Sequence, residues 1–346
     1  MINNAMRESD ILALTFPLYC DHLMHDACVK ATSQAFAFFC LTPSMSVQSD
    51  HSLASPDRYV VIGNPIAHSR SPAIHQQFAT LTGQRLDYGL CLSPVDAFAT
   101  TLQQLRAQGI QGANVTVPFK LEAAQLATWA DPRVSLAQAA NTLVFTPEGE
   151  FHAYNTDGLG LVRDITVNAQ TPLANADVLL LGAGGAAAGA LAPLIEQQPA
   201  LIAVANRTAA KAQALIEQHT SIAQQYGVQL MALALDEIDT AALPSINVLI
   251  NATASSLQGA TLPITQPARI LSKHALVYDM MYGPAAQPFL NWASSHCPHA
   301  HLRDGLGMLV EQAAEAFAIW RGIRPPSASV LQSLRHEVDY QRASHA

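Results

Sequence analysis

Lys120 closes the run Gly112-Ala113-Asn114-Val115-Thr116-Val117-Pro118-Phe119-Lys120 and is the residue best placed to do chemistry. The β-branched stretch predicts a strand over 113–117. Pro118 has no ladder donor and suits the first turn of a helix, so the strand must stop there. Strand ends in α/β sheets open onto the ligand crevice. A lysine at such an end can give a proton to a carbonyl oxygen or take one back. Asp157, in Asn155-Thr156-Asp157-Gly158, would set a carboxylate opposite it if the two strand ends are neighbours; its common alternative use is as a helix cap. Ser69 and Ser71, in His68-Ser69-Arg70-Ser71-Pro72, place two hydroxyls at a helix start, which suits a carboxylate ligand. Gln312, which interrupts the apolar region of the last helix, is most simply an exposed polar residue but near a cleft could hydrogen-bond a hydroxylated ligand.

A second group of residues points to a dinucleotide. The apolar run Asp177-Val178-Leu179-Leu180-Leu181 leads straight into Gly182-Ala183-Gly184-Gly185-Ala186-Ala187. Glycines let the backbone turn tightly against a pyrophosphate, whose charge meets the free N–H groups of the next helix. Such a loop is a weak signal alone, but a strand precedes it, a helix over 186–196 follows, and another strand is expected over 201–205. After that strand an NAD site wants an acid and a 2′-phosphate wants a cation. The chain offers Asn206-Arg207-Thr208 and then Lys211, so NADP is favoured.

The elements that must position these residues alternate between strand and helix. Strands are expected over 58–62 and 86–92 with helices over 71–82 and 95–107, Ser71 acting as N-cap and Pro72 as first helical residue. A helix runs from Lys120 to about residue 128 and is broken at Asp131-Pro132. A hairpin follows over 141–145 and 151–154, turning at Pro147-Glu148-Gly149. Strands ending at Asn251 and Asp279 turn polar where a cofactor would lie. The last helix, after Asp304-Gly305-Leu306-Gly307, carries Leu309, Val310, Ala313, Phe317 and Trp320 on one face. His299 and His301 are expected to alternate along a strand as surface residues. The pattern implies parallel βαβ units and an α/β fold.

Composition narrows the function. The chain has 346 residues, half of them apolar and only 13% charged, against roughly 25% charged in ordinary soluble domains. A net charge of −8 and a pI near 5.9 offer no basic face to nucleic acid. No apolar run reaches the roughly 18 to 20 residues of a spanning helix, and no secretory signal is expected. Five widely spaced cysteines argue for free thiols and a cytoplasmic location. Cys20, Cys28 and Cys40 with His22 and His25 match no zinc spacing, so no metal is expected. Residues 1–56 read as a poorly ordered appendage, with Met45 the expected biological start.

Taken together, these motifs resemble NADP-dependent shikimate dehydrogenases from about Arg58 to the C-terminus. The resemblance is carried by Gly63-Asn64-Pro65 with Ser69-Arg70-Ser71-Pro72, by Asn114 to Lys120, by Asn141-Thr142, and by Asn155 to Gly158. Gly182 to Ala186, Asn206-Arg207-Thr208 and Gly305 to Val310 before Gln312 complete it. It implies reversible reduction of 3-dehydroshikimate to shikimate on the route to chorismate and aromatic amino acids. Ser69 and Ser71 would hold the substrate carboxylate; Thr116, Asn141, Asp157, Tyr282 and Gln312 would read its hydroxyls; Lys120 would be the acid/base. Met280 and Gly305 would lie by the nicotinamide. The fold implied is an N-terminal α/β substrate domain over 57–160, a Rossmann NADP-binding domain over 161–303, and C-terminal helices over 304–346 packing back on the first. Pro132 departs from the family, whose members often carry an acid there. A quinate/shikimate dehydrogenase with relaxed cofactor use and a catalytically silent NADP-binding protein are the alternatives, and a homodimer is left open.

Overall fold

The computed structural model describes residues 55–253 and 264–344. The expectations for Cys20, His22, His25, Cys28, Cys40 and Met45 therefore lie outside the described residues. Two six-stranded sheets organise the rest. The first holds β1 (Asp57–Gly63), β2 (Leu86–Leu92), β3 (Ile110–Val115), β4 (Trp129–Ala130), β5 (Thr142–Phe145) and β6 (Phe151–Tyr154), in the order β2-β1-β3-β5-β6-β4. Between them run α1 (Ser71–Thr82), α2 (Phe98–Ala107), α3 (Lys120–Leu126) and α4 (Pro132–Ala137). Strands β1, β2 and β3 are parallel, as the alternation of strand and helix implied, and the β5–β6 hairpin joins antiparallel to β3.

Side-chain alternation along each strand explains the layering. Val60, Ile62, Ala113 and Val115 face Phe98, Leu102 and Phe119, whereas Tyr59 and Leu86 face Ile74 and Phe78 of α1. That second face is sealed from far along the chain. Val310, Ala313 and Phe317 of the helix Leu306–Arg321, with Val330 and Leu334 of the helix Ala328–Ser344, cover it. The apolar face expected after Gly307 is thus used to close the first sheet.

Helix α5 (Asp157–Arg163) continues into a π-helical turn over Asp164–Asn168 and leads to the second sheet. There β7 (Asp177–Leu181), α6 (Gly185–Ile195), β8 (Leu201–Asn206), α7 (Ala209–Tyr226), β9 (Gln229–Ala234) and β10 (Ile246–Asn251) follow. Next come α8 (Pro267–Ile270), β11 (Leu271–Asp279), α9 (Gln287–His296) and β12 (His301–Asp304), and then the two returning helices, α10 (Leu306–Arg321) and α11 (Ala328–Ser344). The order β12-β11-β10-β7-β8-β9 is parallel throughout and has the doubly wound arrangement in which strand order reverses beside the first strand. Both faces are covered, which is why β7 reads as an unbroken apolar run. Val178 and Leu180 pack on α6 and α7 while Leu179 and Leu181 face Ala293 and Phe289 of α9.

Four local expectations are corrected. Ser71 is already helical, and Arg70 takes the N-cap position. Strand β3 ends at Val115; Pro118 follows a cis peptide in a turn, and the helix begins only at Lys120. Asp131-Pro132 is a helix start, since the Asp131 carboxylate accepts from Arg133 N at 2.9 Å and Pro132 opens α4. His301 begins β12 but His299 lies before it.

Helix α5 is wedged between two others by glycines on opposite faces. A Cβ on Gly158 would stand 2.2 Å from the Gly189 carbonyl oxygen of α6, and one on Gly160 would stand 2.6 Å from Gln312 N of α10. Both neighbours are backbone, so neither can step aside. Gly160→Ala is expected to lower stability by about 1 to 3 kcal/mol through overpacking, measured by urea unfolding; an unchanged midpoint would show that the helices part freely.

Candidate active site

The wedge brings the opening of α5 against the end of β3. Lys120, the first residue of α3, donates from Nζ to Asp157 Oδ2 at 2.5 Å. The other carboxylate oxygen accepts from Asn141 Nδ2 at 2.8 Å. Asp157 thus has a cation on one oxygen and an amide on the other, and its backbone N–H is held by Asn155 Oδ1 at 3.2 Å. The pair is partly shielded, with 31% of the lysine and 17% of the aspartate side chain exposed. Such shielding strengthens the attraction while leaving a route for a ligand.

Around the pair lies a cavity of about 360 Å³ that gathers Ser69, Ser71, Thr116, Lys120, Asn141, Asp157, Tyr282 and Gln312. All eight residues expected at a substrate site meet there, drawn from the start of α1, the end of β3, the hairpin, the start of α5, the loop after β11 and helix α10. The Ser69 hydroxyl donates to Ser71 Oγ at 3.2 Å, which sets the two oxygens side by side at the mouth of α1. Gln312 Oε1 accepts from Asn141 Nδ2 at 3.3 Å, while its own amide is anchored to the Leu309 carbonyl at 2.9 Å. His68, Arg70 and Asn114 also line the cavity and were not singled out from sequence. Asn114 was legible in the motif but reads there as an ordinary strand residue. Of the larger clefts, one holds Arg303 and Arg335, which are engaged by Asp164 and Asp304, and another lies by Trp320 and Glu148.

The glycine loop lies at the end of β7, where the order of the second sheet reverses. Gly182 has φ of +106°, a left-handed turn that side chains resist. Cβ atoms built on Gly184 and Gly185 meet nothing within 4 Å, and the N-cap of α6 is Gly184, which supplies no side chain to its first turn. Open space over uncapped N–H groups fits a pyrophosphate. Gly184, Gly185 and Ala186 are exposed and Ala183 half-exposed. Arg207, Thr208 and Lys211 are exposed beyond β8, and Asn206 Nδ2 donates to the Thr208 carbonyl at 2.9 Å. Thr208 occupies the N-cap position of α7 without making a side-chain cap bond. Met280 and Gly305 follow β11 and β12, joined by the bond from Gly305 N to the Met281 carbonyl at 2.8 Å. Burial works against the charge of Asp304, but the Arg335 guanidinium outweighs it and holds the carboxyl below its usual range, fixing this corner.

Below the serines, His75 is fully buried, its ring stacked on Tyr88 with centroids 4.2 Å apart. Burial pushes its pKa down to about 3. The unfolded chain takes up this proton near pH 6.5 and the folded one does not. The resulting stability is therefore complete above that value and is lost as pH falls toward 3. His75→Phe is expected to flatten the acid limb of unfolding free energy against pH over that window; parallel curves for the two proteins would contradict it.

A doubly wound sheet with a glycine loop, facing a second α/β sheet whose cavity holds an amine–carboxylate pair, defines a two-domain nucleotide-dependent oxidoreductase. Comparison with known proteins specifies it. Family models match over 61–143 (shikimate dehydrogenase substrate binding domain), 165–268 (shikimate/quinate 5-dehydrogenase) and 305–335 (shikimate 5′-dehydrogenase C-terminal domain). Shikimate dehydrogenase (NADP(+)) of Acidovorax sp. strain JS42 is 61% identical over 282 residues, which cover 82% of this chain and 97% of that protein. Among solved structures, an Ael1 enzyme from Pseudomonas putida shares 43% identity with a TM-score of 0.73, covering 80% of this chain and 98% of that one. Shikimate 5-dehydrogenase from Thermus thermophilus, in complex with NADP(H) and shikimate, is 29% identical with a TM-score of 0.66, covering 81% and 99%. The chain belongs to the shikimate dehydrogenase family.

Proposed function

We propose that the protein catalyses the reversible NADPH-dependent reduction of 3-dehydroshikimate to shikimate, a step in aromatic amino-acid biosynthesis. The observation that carries this reading is the Lys120–Asp157 contact inside a cavity that also holds the paired serines. Ser69 and Ser71 orient the substrate carboxylate at the start of α1, and Thr116, Asn141, Tyr282 and Gln312 engage its ring hydroxyls. This leaves the ring carbonyl facing Lys120. The loop Gly182 to Ala186 with Asn206, Arg207, Thr208 and Lys211 would hold NADPH, Met280 and Gly305 would lie by the nicotinamide, and the cofactor would supply the hydride. As negative charge grows on the carbonyl oxygen, Lys120 Nζ transfers a proton to it and in the reverse direction takes the proton back. Asp157 keeps the amine aimed and, with Asn141 on its second oxygen, keeps itself an acceptor.

Residues 57–160 with 304–346 form the substrate domain in this reading, and 161–303 the nucleotide domain. A cytoplasmic location is part of the same proposal, supported by cysteine usage. Among the described residues Cys91 and Cys297 are free thiols, and no helix is long and apolar enough to cross a membrane.

The deciding assay follows NADPH absorbance while the protein oxidises shikimate with NADP. Lys120→Ala is expected to lower kcat by about 100-fold or more with KM little changed; near-normal turnover would remove the lysine from its role. Arg207→Asp should weaken NADPH by about 1.5 to 3 kcal/mol, the range for a hydrogen bond to a charged group. NADH should be unaffected, and equal losses with both cofactors would overturn the assignment of Arg207 to the 2′-phosphate.

A further inference from the structure

The hydrogen bonds beneath the cavity floor have a definite direction, because two backbone groups have only one role open to them. The Thr156 N–H must donate, so Asn141 Oδ1 faces it at 2.9 Å and Asn141 Nδ2 turns toward Asp157. The Asn141 carbonyl must accept, so Asn114 points Nδ2 at it (3.2 Å) and at Thr142 Oγ1 (3.0 Å). That leaves Asn114 Oδ1 to take the proton of the Tyr88 hydroxyl at 2.6 Å. Thr142, having accepted from Asn114, gives its own proton to Asn141 Oδ1 at 3.1 Å. Each amide is thereby oriented by a neighbour whose role is fixed. The chain runs one way, from Tyr88 through Asn114, Thr142 and Asn141 to the carboxylate that holds Lys120. Thr142 is fully buried, and neither it nor Tyr88 lines the cavity.

We propose that Thr142 and Tyr88 are positioning residues for the Lys120–Asp157 pair, acting through this one-way chain to keep the Asn141 amide donating to Asp157. A polarised series of bonds strengthens its last member. With the Thr142 proton on its oxygen, the Asn141 amide is the better donor and resists rotation toward Gln312 or Thr156, which compete for the same nitrogen at 3.3 and 2.9 Å. Tyr88 holds the far end. Its ring is stacked on His75, and its hydroxyl meets Asn114 and also Ser71. The inference rests on the proposed function insofar as Lys120 carries the proton.

Thr142→Val keeps the shape and removes one hydroxyl; Thr142→Ser restores it; Tyr88→Phe removes the first donor and keeps the stacked ring. Val is expected to lower kcat by about 3- to 10-fold, the equivalent of one neutral hydrogen bond, with KM within about 2-fold. kcat/KM should fall by a similar factor, since the loss is in turnover. Ser should return both to wild type, and Phe should move both in the same direction as Val. Solvent exchange of the Asn141 side-chain amide protons, followed by NMR, should quicken in Val and Phe and not in Ser. Equal kcat and equal exchange rates in wild type and Val, or equal losses in Val and Ser, would overturn the proposal. A wild type inactive on shikimate would remove the proposed function, and the exchange rates would still decide the positioning role.

Discussion

The close approach of α5 to both α6 and α10 is the constraint on which the site depends. Without side chains at Gly158 and Gly160 the helix fits with its backbone against theirs, and its first residue, Asp157, then arrives at Lys120. An ordinary helix–helix spacing of roughly 8 to 10 Å would leave the carboxylate short of its partner. The same wedge sets Gln312 over Asn141 and leaves the glycine loop one helix away. The Lys120 cavity and the glycine loop are therefore tied together by backbone contact, which has no rotamers to lose.

Charges reinforce this junction where it is buried. Asp164, fully enclosed at the end of α5, accepts from Tyr278 at 2.8 Å and from Arg303 at 3.0 and 2.7 Å, binding the linking helix to β11 and β12. Glu311, the neighbour of Gln312, accepts from Ser327 at 2.7 Å and Asn168 at 3.1 Å and pairs with Arg163 and Arg324. Buried carboxylates are tolerable only when so engaged. Removing Arg303 would take away the ion-pair partner of the enclosed Asp164, so these networks favour a single arrangement of the two sheets over other packings.

Much of this was legible in the chain. The run into Lys120, the glycine loop after an apolar strand, and the alternation of strand and helix each have a direct physical cause, and all eight expected substrate-site residues meet in one cavity. What was missed divides by cause. Helix α4 was overlooked because Asp131-Pro132 was read as a break, although aspartate before proline is also the chemistry of a helix start. Thr142 and Tyr88 were invisible for a deeper reason: a hydroxyl on a strand acquires meaning only when the register sets Thr142 against Asn114, a pairing between β3 and β5 that local sequence does not encode. Placing Ser71 at the N-cap erred by a single position, within the usual uncertainty of helix ends.

The C-terminal part of α10 has an optical consequence. Trp320 stacks on Tyr59 with centroids 4.6 Å apart and donates from its indole to the Leu143 carbonyl at 3.0 Å, directly over Gly112. Trp129, 45% exposed, sits beside His152, and Trp292 packs on Phe289. The three indoles thus occupy distinct surroundings, and the emission of Trp320 is a built-in gauge of whether the helix bearing Gln312 is seated on the first sheet.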